Sequence, residues 1–360
     1  MPGYWLSREE LYHRDFSNNI VLFCSGFPKS ALTVTGYNLK RRFAGYRADV
    51  EKMNLAHITL NKIIEMFLIM MIGAAALKTG VVESGTSKKM SGVLLNVITP
   101  CMIIVSYQME FDKDLLIGLV VTVILSGASL ILSILLSGIL VKDRENPDMA
   151  VERMSIVYSN CGFIGLPIVN GLLGPKGVFF MTAYITAFNI LIWSHGIMLM
   201  RGRAGGLMSS MKSFINPSTV AIGAGILFFV AGLHLPEVIR NPLSMVGAMN
   251  TPVAMLISGM NLAESELLSC LKKPRTYMIS AAKLLVIPLI TLLLLLAVRV
   301  DYAIAVTILV ASACPSGATG AMFALQYNKD SQYASKLLAV TTVFSLVTIP
   351  AVMLAAGMVF

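Results

Sequence analysis

The sequence predicts an all-α polytopic membrane protein. Of its 360 residues, 56% are hydrophobic and 13% are charged, whereas soluble globular proteins carry roughly 25% charged residues. The mean hydropathy is +0.77. Several long stretches carry no charge, among them the 27 residues of Leu115–Val141 and the 27 residues of Tyr302–Asn328. Each is long enough to cross a hydrocarbon core about 30 Å thick, which takes about 20 helical residues.

Hydrophobic runs and the charged or turn-forming residues between them divide the chain into ten predicted spans. The first is the weakest, because Lys62 and Glu65 interrupt it. In order, the spans are Asn54–Leu77, Met90–Met109, Leu115–Val141, Ala150–Leu173, Gly177–Met200, Pro217–Leu233, Val238–Leu262, Thr276–Val298, Tyr302–Tyr327 and Ser331–Phe360.

The number of basic residues alternates between high and low from one connection between spans to the next. When the basic residues in the first turns of spans 4, 7 and 10 (Arg153, Arg240 and Lys336) are counted with the preceding connection, the successive connections contain 3, 1, 3, 1, 3, 1, 3, 1 and 2 Lys or Arg residues, and the tail contains 0. Cytoplasmic loops of membrane proteins carry the excess of Lys and Arg. The odd-numbered connections are therefore predicted to be cytoplasmic, both termini to lie outside, and the membrane to be the inner cell membrane. The net charge of +9 is explained by orientation, so no nucleic-acid partner is expected.

The first 52 residues differ from the rest, with 8 Lys or Arg and 5 Asp or Glu and no sustained apolar run. One interpretation is an extramembrane arm. The favoured one is an extension upstream of a misassigned start near Met53, because eight basic residues outside would break the charge pattern. The predicted divisions are residues 1–52 as this extension, 53–203 as a first five-helix repeat, 204–216 as a short cytoplasmic linker and 217–360 as a second repeat.

The repeat prediction comes from matching segments. Thr99-Pro100 in span 2 matches Thr251-Pro252 in span 7, and "SNCG" (159–162) in span 4 matches "SACP" (312–315) in span 9. Segments of spans 5 and 10 match in the same order. Because a five-span repeat is odd, the second copy must be inverted, which is the plan of many secondary transporters with discontinuous helices at the midplane.

Spans 4 and 9 contain helix-breaking residues near their centres. Proline removes a backbone donor, and glycine favours non-helical backbone; such breaks are tolerated at membrane depth only when buried in protein or facing a wet cavity. Two matched breaks therefore predict one polar cavity, where two new helix N-termini favour an anion. The residues predicted to form the breaks are Asn160, Gly165, Pro167, Pro315 and Gly320.

A substrate site is predicted from the polar and small residues at these breaks, together with two asparagines on other spans. Asn189 in span 5 either reaches the substrate or bonds between helices, and Asn250 lies just before Thr251-Pro252. Lys283 in span 8 either snorkels inward or is buried as a proton-linked or anion-pairing group. The full predicted set is Asn160, Cys161, Gly162, Pro315, Ser316, Gly317, Asn189 and Asn250, with Lys283 as a candidate coupling residue.

No sequence motif of an enzyme, a cofactor site or a metal site is present. The sequence contains no GxSxG, no HExxH and no phosphate loop, and its five cysteines have no metal-type or redox-type spacing. We therefore expect neither catalysis nor a bound cofactor or metal.

At "SNCGFIGLPIVNGLLG", "FNILIWSHG", "NTPVAMLISGMNLA" and "ACPSGATGAMFALQYNKD" the sequence resembles the auxin efflux carrier family. That family includes the plant PIN proteins and bacterial transporters thought to move malate or malonate. The resemblance runs from about Met53 to Phe360.

The resemblance implies a ten-helix 5+5 inverted repeat in which spans 4 and 9 cross at their broken centres, a plan shared with bile-acid and sodium-antiporter carriers. Spans 3–5 and 8–10 would form a moving transport domain, and spans 1, 2, 6 and 7 a scaffold that often forms a homodimer. It also implies a crossover amide at Asn160, a crossover proline at Pro315 and a polar substrate-facing residue at Asn189.

Two departures from the plant proteins narrow the range of expected functions. Ser159 stands where plant PINs have a proline, and residues 201–216 replace a long central loop. We expect a bacterial-type carrier of small carboxylates or dicarboxylates that works by an elevator motion. Its coupling ion, a proton or sodium or none, stays open. The alternatives are a sodium-coupled symporter of the bile-acid type and an anion-binding membrane sensor that does not transport.

Overall fold

The computed structural model describes residues 60–142, 146–201, 217–264 and 273–359. The predicted extension, residues 1–52, and the predicted linker, residues 204–216, lie outside the described residues. Within these four stretches every element is helical, apart from one isolated antiparallel bridge between Ser159 and Ser316.

Twelve helical segments are numbered here in chain order. They are α1 (Leu60–Lys78), α2 (Thr86–Ser106), α3 (Lys113–Leu140), α4 (Met149–Val157), α5 (Cys161–Arg201), α6 (Pro217–Val230), α7 (Glu237–Ala248), α8 (Asn250–Glu264), α9 (Pro274–Val298), α10 (Tyr302–Ala313), α11 (Ala318–Gln326) and α12 (Ser331–Val359).

Seven helical stretches among the described residues are long and apolar enough to cross a membrane, and α6 and α10 are shorter apolar helices. The seven are α1, α2, α3, α5, α7 with α8, α9 and α12. The prediction of an all-helical, multi-pass membrane protein is confirmed at this level. The division into ten spans and the inverted repeat stay predictions.

The long helix α3 has large residues on its lipid side and small residues on its inner side. Ile117 and Ile124 are exposed, whereas Ser126, Ser129 and Ser133 are buried. Lipid tails are as apolar as leucine, so helices in membranes associate through close packing and hydrogen bonds at small residues. Ser129 provides one such bond, at 2.8 Å between its hydroxyl oxygen and that of Thr291 on α9.

Helix α5 consists of two arms joined at Gly174. There the backbone takes φ 59° and ψ −147°, outside the helical region, and this left-handed φ favours glycine. A Cβ placed on Gly177 would lie 2.9 Å from the carbonyl oxygen of Val169, so the two arms pack tightly beside the turn. This turn lies between the predicted end of span 4 and the predicted start of span 5.

The two short helices that precede the breaks are almost entirely buried. In α10, 11 of the 12 residues are buried, and in α4, 7 of the 9 are buried. A helix that is buried on nearly all sides lies in the protein interior rather than against lipid. The breaks that follow these helices are therefore enclosed by protein.

A polar network ties three helix starts together near α4. Glu152 on α4 is 1% exposed, and its carboxylate accepts from Arg275 Nε at 2.6 Å and from the Tyr333 hydroxyl at 3.2 Å. Asn146 Nδ2 also donates to this carboxylate, at 3.0 Å. The starts of α4, α9 and α12 are thereby linked through one buried acid.

Candidate functional site

The two interrupted helices meet where each is broken. The backbone N–H of Asn160 donates to the carbonyl oxygen of Pro315 at 2.7 Å, and the N–H of Gly317 donates to the carbonyl oxygen of Tyr158 at 2.8 Å. Ser159 and Ser316 lie opposite each other in this antiparallel bridge. Backbone groups that lose helical partners at membrane depth must be satisfied inside the protein, and here each break satisfies the other.

Ser316 adds side-chain bonds that hold the crossing in place. Its hydroxyl donates to the carbonyl oxygen of Ser155 at 2.9 Å, near the end of α4. Its N–H donates to the Thr341 hydroxyl of α12 at 3.1 Å. Ser316 therefore connects both breaks to the last helix.

Gly317 lies where two backbones approach closely. A Cβ at this position would come within 3.2 Å of the carbonyl oxygen of Tyr158 and 3.3 Å of that of Ser159. The backbone itself is extended, with φ −76° and ψ 140°, so the requirement for glycine is one of space rather than of conformation.

Two helix N-termini begin at this crossing. The chain resumes helical structure at Cys161, through a π-helical turn, Cys161–Gly165, that leads into the rest of α5. It resumes again at Ala318 with α11, which has 9 residues. The first N–H groups of a helix have no intrahelical partner and carry partial positive charge.

Unfilled space and an unpaired amide lie at the first of these N-termini. Asn160 is 7% exposed, and its side-chain amide makes no hydrogen bond to any residue that the structure describes. A Cβ placed on Gly162 would have no atom within 4 Å. Within the described residues, the donor and acceptor atoms of the Asn160 amide are therefore unused.

Lys283 reaches the crossing from α9. It is fully buried and lies in a π-helical turn, Ala282–Val286. Its ammonium donates to the hydroxyl oxygen of Ser159 and to the carbonyl oxygen of Ser312, the latter at 3.2 Å. The sequence left open whether Lys283 snorkels to the surface or is buried. In the structure it is buried, and its side chain does not extend to the surface.

Other uncharged side chains complete the surroundings of the crossing. Tyr184 is buried and lies close to Ser159, Cys161 and Cys314. Cys161 and Cys314 are both buried and both flank Gly165, since a Cβ there would lie 3.2 Å from Cys314 Sγ and 3.4 Å from Cys161 Cβ.

A small, mostly apolar cavity of about 20 Å³ adjoins the π-helical turn Cys161–Gly165. A single water needs roughly 10–15 Å³ of such volume, so the cavity in this conformation does not hold an organic anion. Its hydroxyl-bearing residues are Thr342 and Ser345. The full lining is Ile63, Met66, Phe67, Met70, Ile164, Ile168, Met255, Thr342, Ser345, Leu346 and Ile349.

Asn250 lies apart from the crossing contacts, at the start of α8. It is 1% exposed, and its Oδ1 accepts from the Thr99 hydroxyl of α2 at 2.9 Å. Its Nδ2 is buried and has no hydrogen-bond partner among the described residues. Asn189 is half-buried on the second arm of α5 and makes no side-chain hydrogen bond within the described part of the chain.

Several residues predicted to break helices lie in helical backbone just after the breaks. Gly165 has φ −67° and ψ −47°, Pro167 occupies the first turn of the following α-helix, and Gly320 is inside α11. The non-helical stretches are shorter and lie earlier, around Tyr158–Asn160 and Cys314–Gly317.

Sequence reasoning missed three contributors to the crossing: Ser159, Tyr184 and Thr341. For Ser159 a signal was present, since the matched segments "SNCG" and "SACP" align Ser159 with Ser312. These are the two residues that Lys283 contacts. The positions of Tyr184 and Thr341 have no comparable signal in the sequence.

Comparisons with known proteins cover almost the whole described region. A family described as "Membrane transport protein" matches residues 58–211 and 206–353. A protein of Methanothermobacter thermautotrophicus, named an uncharacterized transporter, is 24% identical over 302 residues, which are 80% of this chain and 95% of that protein. The family match includes both breaks. These similarities support the resemblance to the auxin efflux carrier family. They do not show whether the chain is related more specifically to the members thought to carry malate or malonate.

Proposed function

Because the chain belongs to the membrane transport protein family, we propose that it carries small organic anions, such as the carboxylates malonate or malate, across the inner cell membrane. The observation that carries the proposal is the bridge between Ser159 and Ser316. It brings together the helix N-termini that begin at Cys161 and Ala318. Two such termini supply partial positive charge and free N–H groups to an anion.

The groups around the first terminus suit a carboxylate. The amide of Asn160, which has no hydrogen-bond partner in the described part of the chain, is a neutral donor, and the space at Gly162 is unfilled. The apolar residues of the neighbouring cavity, such as Ile164 and Met255, suit the carbon skeleton. Ligand sites of this kind combine apolar walls with a few placed polar groups. In the proposal, Asn160, Cys161, Gly162, Pro315, Ser316 and Gly317 bind the anion, with Asn189 and Asn250 meeting it in other conformations.

The proposal includes a mechanism. Under the ten-helix inverted repeat, α4 with the first arm of α5 is span 4, and α10 with α11 is span 9. The transport domain, spans 3–5 and 8–10, slides as an elevator against a scaffold that forms the homodimer, and both termini face outward. Two observations favour a rigid transport domain: the paired breaks, and the network in which Glu152 binds Arg275 and Tyr333.

Uptake into proteoliposomes tests the function. Purified protein would be reconstituted and presented with labelled malonate, malate, lactate and indole-acetate, with and without proton and sodium gradients, beside protein-free liposomes. We expect at least one anion to enter faster than in the protein-free vesicles. If none moves under any gradient, the carrier proposal for this substrate class fails. Binding without flux would identify a sensor, and uptake that requires sodium would identify the bile-acid type of symporter.

A further inference from the structure

The ammonium of Lys283 lies where two helix C-termini converge. Ser312, whose carbonyl oxygen it contacts at 3.2 Å, belongs to the last turn of α10, which ends at Ala313. Ser159, whose hydroxyl it contacts, follows the end of α4 at Val157. The last carbonyl groups of a helix lack intrahelical partners and carry partial negative charge. The position is therefore electrostatically suited to a cation.

No acid accounts for the charge of Lys283. Within the described ranges, its hydrogen bonds go to a hydroxyl and a carbonyl oxygen, and none of the ion pairs includes it. The titratable side chains that interact with the ammonium electrostatically are the thiols of Cys161 and Cys314, and thiols are ordinarily neutral at physiological pH. The buried acid nearest in sequence to the crossing, Glu152, is engaged elsewhere with Arg275.

In secondary transporters with discontinuous helices, unwound backbone carbonyls and the C-terminal ends of half-helices coordinate the coupling sodium ion. Lys283 presents a monovalent positive charge to the same kind of oxygens, on a side chain that cannot leave. The fully buried lysine therefore fills a cation position permanently rather than transiently.

We propose that the Lys283 ammonium is a tethered cation that occupies the cation site between the ends of α4 and α10, so that the protein needs no coupling sodium ion. This inference rests on the proposed function for its consequence in transport. The cation site itself is tested without any substrate.

The test compares melting temperatures of the purified protein in sodium chloride and in choline chloride at equal ionic strength, together with the binding of radioactive sodium. The wild type is expected to melt at the same temperature in both salts and to bind no sodium saturably. Lys283→Ala, which removes the charge and opens the site, is expected to melt lower in choline, to recover in sodium, and to bind about one sodium per chain.

Two further variants separate charge from volume and position. Lys283→Met fills the space without a charge, so it is expected to melt lower than the wild type in both salts. Lys89→Ala removes a lysine that is exposed, so it is expected to behave as the wild type does.

Saturable sodium binding by the wild type would overturn the inference, as would a Lys283→Ala protein that is insensitive to sodium. Failure of Lys283→Ala to fold even when it is prepared in sodium would also overturn it, because sodium then does not replace the ammonium. If the wild type is insensitive to sodium and moves no anion, the proposed function is wrong and the tethered cation is supported. If the wild type moves an anion and binds sodium saturably, the proposed function is supported and the tethered cation is wrong.

Discussion

Asn160 and Pro315 are joined by a hydrogen bond of 2.7 Å from the N–H of the first to the carbonyl oxygen of the second. The residues lie in two different interrupted helices, 155 positions apart along the chain. Each break would leave costly unpaired groups if it were alone in the membrane interior. Their pairing explains how both interruptions persist in the interior, and it links the two helix N-termini on which the proposed function depends.

Gly317 is the position at which this pairing is most sensitive to side-chain size. Gly317→Ala would place a Cβ within 3.3 Å of two carbonyl oxygens of the opposite break. We expect the bridge to be forced apart, with a loss of about 1–3 kcal/mol in the free energy of unfolding and a lower melting temperature. The matched control is Gly162→Ala, whose Cβ meets no atom within 4 Å. Equal melting temperatures for the two variants would contradict this account of the crossing.

Glu152 is expected to be a stabilising residue rather than a substrate-binding one. Glu152→Ala removes the acceptor of Arg275 Nε and of the Tyr333 hydroxyl. Arg275 is partly exposed, so water can replace the lost carboxylate. We therefore expect the free energy of unfolding to fall by about 2 kcal/mol, which is less than the loss for a fully buried ion pair.

Thermal unfolding in detergent measures the effect of Glu152→Ala, with the exposed Glu83 changed to alanine as the control. A melting temperature equal to that of the control would mean that the network does not hold the helix starts together.

Asp148, at the start of α4, is expected to make stability depend on pH. Burial raises the pKa of its carboxyl group, the negative charges of Asp330 and Glu152 raise it further, and the positive charges of Lys273 and Arg275 lower it by less. The folded protein therefore holds this proton more tightly than the unfolded chain does. Stability is greatest below the unfolded pKa and falls as pH rises through the folded pKa.

Asp148→Asn removes this titration. We expect the variant to melt higher than the wild type at neutral pH, and the difference to shrink at acidic pH, where the wild-type carboxyl is protonated. Melting curves of both proteins over that pH range test the sign. A variant that is less stable than the wild type at neutral pH would show that the Asp148 charge is favourable.

The multi-pass helical architecture and the location of the breaks follow from the sequence because both depend on local composition. A run without charge predicts a span, and a proline such as Pro315 beside glycines predicts an interruption. The match between "SNCG" and "SACP" further predicts that the two interruptions belong together, and their backbones are paired in the structure.

The details of the site depend on contacts between distant segments and could not be predicted. Gly165 and Gly320 are helical because the paired breaks satisfy the backbone earlier in the chain than these glycines suggest. The sequence could not decide between a snorkelling and a buried Lys283 for a similar reason. A lysine near a helix end has the length to snorkel. The Lys283 ammonium is instead bonded in the interior, because folding places the Ser159 hydroxyl and the Ser312 carbonyl oxygen within its reach.

The most direct test of the central claim is the initial rate of labelled malonate uptake, or of whichever anion of the panel moves fastest, by wild type and Asn160→Ala in proteoliposomes with equal protein content. Asn96→Ala, which changes an exposed asparagine of α2, is the control. We expect Asn160→Ala to retain the wild-type melting temperature and to lose transport by at least about tenfold, which corresponds to about 1.4 kcal/mol of lost interaction. Wild-type rates in a well-folded Asn160→Ala protein would contradict the claim that the anion binds at the crossing.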